Sequence, residues 1–269
     1  MTQFERVTIK NKVEFSGFGV HSAKKCSAFV NPGDQGIVFI HQRNKIFASP
    51  YNVTSTENCT AIGGIRMIEH MMSALAGLGI TDAEIVVDGE ELPILDGSSK
   101  EYVEGFLSVE SLPLKKFRAF SLYQRVFFRD HNAEIAISFG EGRWKYCFEK
   151  QDRWPGEQVF EIKLSKESYV SEVASARTFI LEEDIAPVVA AGLGKAATTE
   201  NTLILLQNGY KTEPRFLDEP ARHKLLDCIG DLALVGVPVR YLNVTAQRSG
   251  HKHNVEAAKQ LSQVVNWKE

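Results

Sequence analysis

The chain has 269 residues, 43% of them hydrophobic and 24% charged, with a formal net charge of -3 at pH 7, enough to build the core of one large domain or two ordinary ones. That balance leaves no electrostatic footprint for nucleic acid and no dense Lys/Arg cluster for an anionic membrane surface. No apolar run is long enough to span a bilayer, and Met1-Thr2-Gln3-Phe4-Glu5-Arg6 lacks the basic segment and apolar core of a leader, so a soluble cytoplasmic protein is expected.

Residues 7–9, 13–15, 26–30 and 37–40 read as strands, with Ser16-Gly17-Phe18-Gly19 extending the second and Asn31-Pro32-Gly33-Asp34 supplying a turn. His21 falls in a loop after Gly19-Val20. A polar, β-capable stretch over 54–60 leads to Gly63-Gly64, and 67–77 reads as a helix whose apolar face is Ile68, Met71, Met72 and Leu75. Glu69 and His70 interrupt that apolar pattern, where an ionisable group costs desolvation unless something pairs with it. A strand at 83–87, a tight loop through 90–99 and a helix over 100–107 follow, with Ser98 or Ser99 as its cap. The pattern breaks at 111–116, which places a domain boundary there and gives units 1–113 and 117–269.

In the second half, strands are predicted at 117–128, 133–139, 144–149 and 158–164. Next come a helix over 182–191, a Gly192-Leu193-Gly194-Lys195 turn, a strand at 202–206, and a helix with Asp218 as cap and Pro220 in its first turn. A strand at 239–246, the loop Gln247-Arg248-Ser249-Gly250-His251 and an amphipathic helix over 254–267 close the chain. Strands first and helices later, twice over, predict an α+β protein with two similar halves that suggest a duplication. Cys26, Cys59, Cys147 and Cys228 are scattered with no C-x-x-C pair, the pattern of reduced, packed thiols rather than of disulfides or a thiolate zinc knuckle.

The chemistry concentrates in Arg222-His223-Lys224-Leu225-Leu226-Asp227-Cys228-Ile229-Gly230-Asp231. In a helix, His223 and Asp227 stand one turn apart and Asp231 about two, on one polar stripe, while Leu225, Ile229 and Leu232 follow an apolar one. A His and an Asp at i and i+4 can grip one metal ion, and this pair suits zinc with an open coordination position. His70 is the natural third ligand, and Glu69 beside it is placed to act on a water at the metal. An isolated H-x-x-x-D is weak evidence; the set of residues carries the argument.

Five blocks in order extend that set. Glu69-His70 with Ser73-Ala74-Leu75-Ala76-Gly77-Leu78-Gly79-Ile80, Leu92-Pro93-Ile94-Leu95-Asp96-Gly97-Ser98, Ala176-Arg177-Thr178-Phe179, Arg222-His223-Lys224 through Asp231-Leu232, and Ser249-Gly250-His251 resemble UDP-3-O-acyl-N-acetylglucosamine deacetylases, the zinc amidases of the committed step of lipid A synthesis in Gram-negative bacteria. The resemblance implies two domains of similar topology, each a sheet packed on a pair of helices, with the active site between them. It implies His70, His223 and Asp227 as ligands of zinc, with iron(II) able to fill the same set. It further implies Glu69 as general base, His251 as general acid, Asp231 as the carboxylate that orients His251, and Thr178 as the hydroxyl holding the tetrahedral oxyanion. Lys224, Arg248, Phe179 and His21 are expected to bind substrate, Arg248 standing where a lysine is more usual and His21 in a block, 17–24, similar to an early Gly-x-Gly-x-His segment. The implied partner is a UDP-sugar bearing an acyl chain, with any membrane association peripheral.

One departure bears on specificity. Ala196-Ala197-Thr198-Thr199-Glu200-Asn201 replaces the small glycine-rich residues common in such enzymes, and its extra methyl groups are expected to narrow or redirect the passage for the acyl chain. Two alternatives follow: a zinc amidohydrolase acting on a different N-acetylated sugar, and a non-catalytic sugar-nucleotide binding relative. Retention of Glu69, His251 and all three ligands argues against the second.

Overall fold

The structure, a computed structural model, describes residues 1–151 and 153–268. The first half contains strands β1 (Thr2–Ile9), β2 (Val13–Phe18), β3 (Lys25–Pro32), β4 (Ile37–His41), β5 (Asn44–Phe47), β6 (Val53–Ser55) and β7 (Ala61–Ile62), then helix α1 (Glu69–Gly77), strand β8 (Ala83–Asp88) and helix α2 (Lys100–Ser108). The second half contains β9 (Ser111–Leu122), β10 (Val126–Asp130), β11 (Ala133–Phe139), β12 (Arg143–Glu149) and β13 (Glu157–Lys163). It continues with α3 (Lys166–Glu172), β14 (Phe179–Leu181), α4 (Glu182–Ala190), β15 (Leu203–Leu205), α5 (Glu219–Ala233), β16 (Leu242–Gln247), α6 (His251–Val264) and β17 (Val265–Lys268).

Period-two burial builds the sheets. Cys26, Ala28 and Val30 alternate inward along β3, and Trp144, Tyr146 and Phe148 along β12, so each sheet buries one face. The first sheet runs β2-β3-β8-β4-β5 and the second β10-β11-β16-β12-β13. In both, a single parallel pair, β4 with β8 and β12 with β16, sits among antiparallel neighbours. The order is the same in the two halves, with α1 and α5 in equivalent connections and α2 and α6 following the equivalent last strands. The chain is an α+β protein made of two topological copies.

α1 and α5 pack on each other between the sheets. At Gly230 a Cβ would lie 2.1 Å from the carbonyl oxygen of Glu69, so only glycine lets the two backbones come this near. On either side of this seam both helices are buried, Leu225, Leu226, Ile229 and Leu232 of α5 and Met71, Met72 and Leu75 of α1 among them. Polar side chains that share it are therefore shielded from water.

Several expectations need correction. The strand pattern does not break over 111–116: that stretch begins β9, which pairs with β1 on one side and β17 on the other in a three-stranded sheet. The predicted strand 117–128 is two strands, because the chain turns after Leu122 and enters the second sheet at Val126. The terminal helix stops at Val264, and 265–268, whose pattern continued the amphipathic one, pair with β9 instead. The strand predicted from 239 begins at Leu242, after a short 3-10 turn over Val239–Tyr241. Asp218 holds the cap position of α5, but its carboxylate bonds Arg222 Nε at 2.7 Å rather than a main-chain N–H. Among the described residues no helix is long and apolar enough to cross a membrane.

Candidate active site

The first turn of α1 and the middle of α5 bring three ligand-capable side chains together. Ligand atoms of His70, His223 and Asp227 all lie within 4.8 Å of one another, and all three residues are buried. Asp227 Oδ1 faces His223 Nε2 at 3.3 Å and His70 Nε2 at 3.7 Å. That oxygen is buried with no hydrogen-bond partner among the described residues, an unmet acceptor that a cation between it and the two imidazoles would satisfy.

The protonation states suit a cation. Burial and the neighbouring His223 push His70 down to about 3 against the pull of Asp227, and burial lowers His223 despite Asp227. Both imidazoles are thus neutral. His223 Nδ1 lies 3.0 Å from the carbonyl of Ala176, which fixes Nδ1 as the donor and leaves the Nε2 lone pair free. Burial opposes ionisation of Asp227, but His223, Lys224, His251 and His70 together hold it well below the usual carboxylate range. Two neutral imidazoles and one carboxylate fit an open divalent site of the zinc type. Cys59 is buried nearby, its thiol pushed up to about 12 by burial and by Glu69, and it is not part of this ligand cluster.

Two proton-carrying groups flank the ligands. Burial drives Glu69 up to about 7, with Asp231 and Asp227 adding to the rise and His251 opposing it. Burial alone would lower His251, yet Asp231, Glu69 and Asp227 raise it to about 9. His251, the first residue of α6, places Nδ1 3.0 Å from Asp231 Oδ2 and Nε2 3.9 Å from Glu69 Oε1. One side chain is thus poised to take a proton and the other to give one.

The remaining residues divide. Lys224 Nζ bonds Asp227 Oδ2 at 2.9 Å; burial works against its charge, but Asp227 keeps its pKa above the ordinary lysine value. The Phe179 ring stands edge-on to His223 with centroids 6.1 Å apart, and Lys224 Nζ lies 5.6 Å from the centre of that ring. Thr178 precedes Phe179 and is gripped by its main chain, donating to Gly97 O at 2.7 Å and accepting from Leu203 N at 2.8 Å. Arg248 and His21 lie differently. The Arg248 guanidinium bonds Glu149 Oε2 and the Asn132 carbonyl rather than the ligand cluster. His21 Nδ1 accepts from Gly194 N at 3.4 Å, and Ala196 N donates to Val20 O, so His21 supports the loop that begins the altered segment. That segment is a self-bonded turn: Asn201 Nδ2 donates to Ala196 O and Thr198 N to Asn201 Oδ1.

Sequence reasoning missed the groups that hold these residues still. Thr60 N donates to Glu69 Oε2 at 2.9 Å, Thr60 Oγ1 to Asp231 Oδ1 at 2.6 Å, and Asn254 Nδ2 to Asp231 Oδ2 at 2.9 Å. Ser99, expected as a helix cap, donates instead to the His70 carbonyl at 2.8 Å, while Ser98 Oγ accepts from Lys100 N. The Arg177 guanidinium is held by both oxygens of Glu219, the first residue of α5, at 2.9 and 3.2 Å. Asn254 alone left a local signal, three residues after His251 on one helix face.

A family model described as UDP-3-O-acyl N-acetylglycosamine deacetylase matches residues 6–263. Curated relatives named UDP-3-O-acyl-N-acetylglucosamine deacetylase include one from Geotalea uraniireducens, 36% identical over 263 residues covering 92% of this chain and 85% of the relative. Another, from Brucella ovis, is 32% identical over 274 residues, 94% of each chain. A third, from Nostoc sp., is 30% identical over 277 residues, 96% of this chain and 99% of the relative.

Proposed function

The chain belongs to the UDP-3-O-acyl N-acetylglycosamine deacetylase family, and from that premise we infer that it hydrolyses the N-acetyl group of UDP-3-O-acyl-N-acetylglucosamine, giving acetate and the free amine for lipid A synthesis. The observation that carries the mechanism is the orphaned Asp227 Oδ1 facing two neutral histidines, with Glu69 and His251 3.9 Å from each other beside it.

His70, His223 and Asp227 hold the metal, which we propose to be zinc. A bound zinc ion supplies Lewis acidity, lowering the pKa of water from about 15.7 toward ~7 and polarising the amide carbonyl. Glu69, with a carboxyl near 7, takes the proton of the attacking water at its Oε1. Thr178 donates its hydroxyl to the carbonyl oxygen as negative charge grows there. His251, charged below about 9, then gives its Nε2 proton to the departing amine, which is a poor leaving group until protonated. Asp231 keeps the His251 ring in place and favours its cation.

Lys224 and Phe179 offer a charge and an apolar ring beside the ligands for the sugar nucleotide, with Arg248 and His21 further out. The β14–α4–β15 excursion, whose helix has no buried residue, is the place for the acyl chain, and the turn at 196–201 sets its width. A nucleotide-sugar substrate supports a cytoplasmic location, with peripheral contact at the inner membrane into which an acylated substrate partitions. We place the division between the two units inside β9, near 113–117.

The test is acetate release from UDP-3-O-acyl-N-acetylglucosamine by metal-stripped protein titrated with zinc, with His223→Ala as control. Activity should peak near one equivalent and vanish in the control. A protein that binds one zinc and stays silent would keep the site and discard the substrate, pointing to another N-acetylated sugar.

A further inference from the structure

We propose that Thr60 is a positioning residue for the hydrolysis, its main chain fixing the proton-accepting carboxylate and its hydroxyl fixing the carboxylate that orients the proton donor. The inference rests on the roles assigned above to Glu69, Asp231 and His251.

Thr60 immediately precedes β7 and is wholly buried. All three of its polar groups are used. Its N–H donates to Glu69 Oε2 at 2.9 Å, its hydroxyl to Asp231 Oδ1 at 2.6 Å, and its carbonyl accepts from Ile68 N at 3.2 Å. The last bond ties the residue to the entrance of α1, where Met67 adopts a φ of 63°, a left-handed conformation that a non-glycine residue holds only when its surroundings demand it. The backbone between β7 and α1 is therefore bent back so that Thr60 and Glu69 meet.

Each bond removes a specific freedom. With Oε2 taken by a main-chain donor, the Glu69 carboxylate cannot swing, and Oε1 is the oxygen left facing His251 Nε2 at 3.9 Å. On Asp231, Oδ2 already serves His251 Nδ1 at 3.0 Å and Asn254 Nδ2 at 2.9 Å, so the Thr60 bond to Oδ1 sets the plane of the carboxylate and through it the tilt of the imidazole. The contact joins residues 171 positions apart, one in each topological copy. Glu69 rides on α1 and Asp231 on α5, so Thr60 links the two carboxylates by hydrogen bonds.

The chemistry of the donor matters as well as its place. A hydroxyl satisfies a buried carboxylate oxygen without neutralising it, which leaves the full negative charge of Asp231 to act on His251; an Arg or Lys in the same position would divert that field. A β-branched threonine also has a stiff χ1, so the hydroxyl direction is fixed by the backbone.

Thr60→Val keeps the shape and the N–H to Glu69 and deletes only the bond to Asp231. In zinc-loaded protein, kcat for acetate release from the acylated nucleotide sugar should fall on the order of 10- to 100-fold, with KM and zinc stoichiometry unchanged. Thr60→Ser should recover most of the rate. In an Asp231→Asn background, adding Thr60→Val should slow the enzyme by less than about threefold, because the hydroxyl acts through that carboxylate. A fully active Thr60→Val, a loss equally large in the Asp231→Asn background, or a loss confined to KM or to bound zinc overturns the proposal. Should the valine variant fail to fold, Thr60→Ser and Thr60→Ala make the same comparison: a fast serine and slow alanine variant support it, equal rates overturn it. Wild-type protein inert on this substrate overturns the functional reading and this inference together, whereas an active wild type beside an equally active Thr60→Val overturns this inference alone.

Discussion

A Gly230→Ala substitution would drive a methyl group into the seam between α1 and α5. The new Cβ would sit 2.1 Å from the Glu69 carbonyl oxygen, 2.9 Å from its carbon and 3.2 Å from its Cα, all backbone atoms that cannot rotate away. Relief to ordinary contact at 3.4 Å requires about 1.3 Å of helix separation, and overpacking of this kind costs about 1–3 kcal/mol. The same displacement carries Glu69 and His70 away from Asp227, Asp231 and His223. A misplacement of roughly 1 Å costs ~100-fold in rate, so kcat should suffer more than the fold. The expected results for the zinc-loaded variant are a melting point lower by roughly 2–12 °C, a kcat down about 100-fold, and weaker zinc retention in a chelator competition. Gly209→Ala, where a Cβ meets nothing within 4 Å, is the control and should change neither stability nor rate. Wild-type kcat and an unshifted melting point in Gly230→Ala would refute the claim that the helix crossing sets the site.

Further outcomes follow from the same geometry. Glu69→Gln should retain one zinc per chain while kcat drops on the order of 100- to 10,000-fold; a variant with more than a tenth of normal activity would remove Glu69 from its role. His251 stays protonated below about 9 because of Asp231, Glu69 and Asp227, and its acid form is lost as pH rises through that value. Asp231→Asn withdraws the leading charge that supports the cation, so the alkaline limb of kcat/KM should move to lower pH; an unmoved limb, measured in the same buffers, would mean that Asp231 does not tune the acid. Arg177→Ala removes the cation from the buried Glu219 carboxylate at the start of α5, leaving it only the main-chain N–H groups of residues 177 and 215, and should cost about 3–5 kcal/mol in urea unfolding, with a loss under about 1 kcal/mol marking the pair as structurally idle. Dialysis against a chelator should abolish acetate release and zinc should restore it; activity that survives complete metal removal would contradict the assigned ligand set.

The parts of this molecule that were legible in the sequence are those whose information is local. The spacing of His223, Asp227 and Asp231 against Leu225, Ile229 and Leu232 is a property of one helix, and Glu69 and His70 stand out because they interrupt a run that is otherwise apolar. The copies of strand order could be read in outline, although β5 and the short β6 and β7 carry too few residues for a period to register. The helix α3 escaped because Lys166–Glu172 buries only Tyr169, so it has almost no apolar stripe; its Ser165 cap, bonded to Ser168 N, was the signal available. The tail at 265–268 misled because Val264-Val265 extends the pattern of α6, and pairing with β9 outweighs that local preference. Thr60 and Glu219 were invisible for a different reason: Asp231 and Arg177, which they bond, lie 171 and 42 positions away, and only the folded chain brings them into register.

The equal order of the two sheets makes the halves topological copies, and the proposed catalysis depends on their having diverged. Were the copies identical, as in an isologous dimer, each group near the axis would face its own twin. Two bases or two acids in a dry seam repel one another and cannot pass a proton from water to a leaving group. Joining both copies in one polypeptide lets each helix specialise: in the proposed mechanism α1 carries the base and one ligand, while α5 carries two ligands and the carboxylate behind the acid. The connection preceding each helix has diverged too, into the small β6–β7 hairpin on one side and the larger β14–α4–β15 excursion on the other. Sequence drift between the halves is in this light a division of labour, and a variant that restored their likeness at the seam would be expected to fold and to be chemically mute.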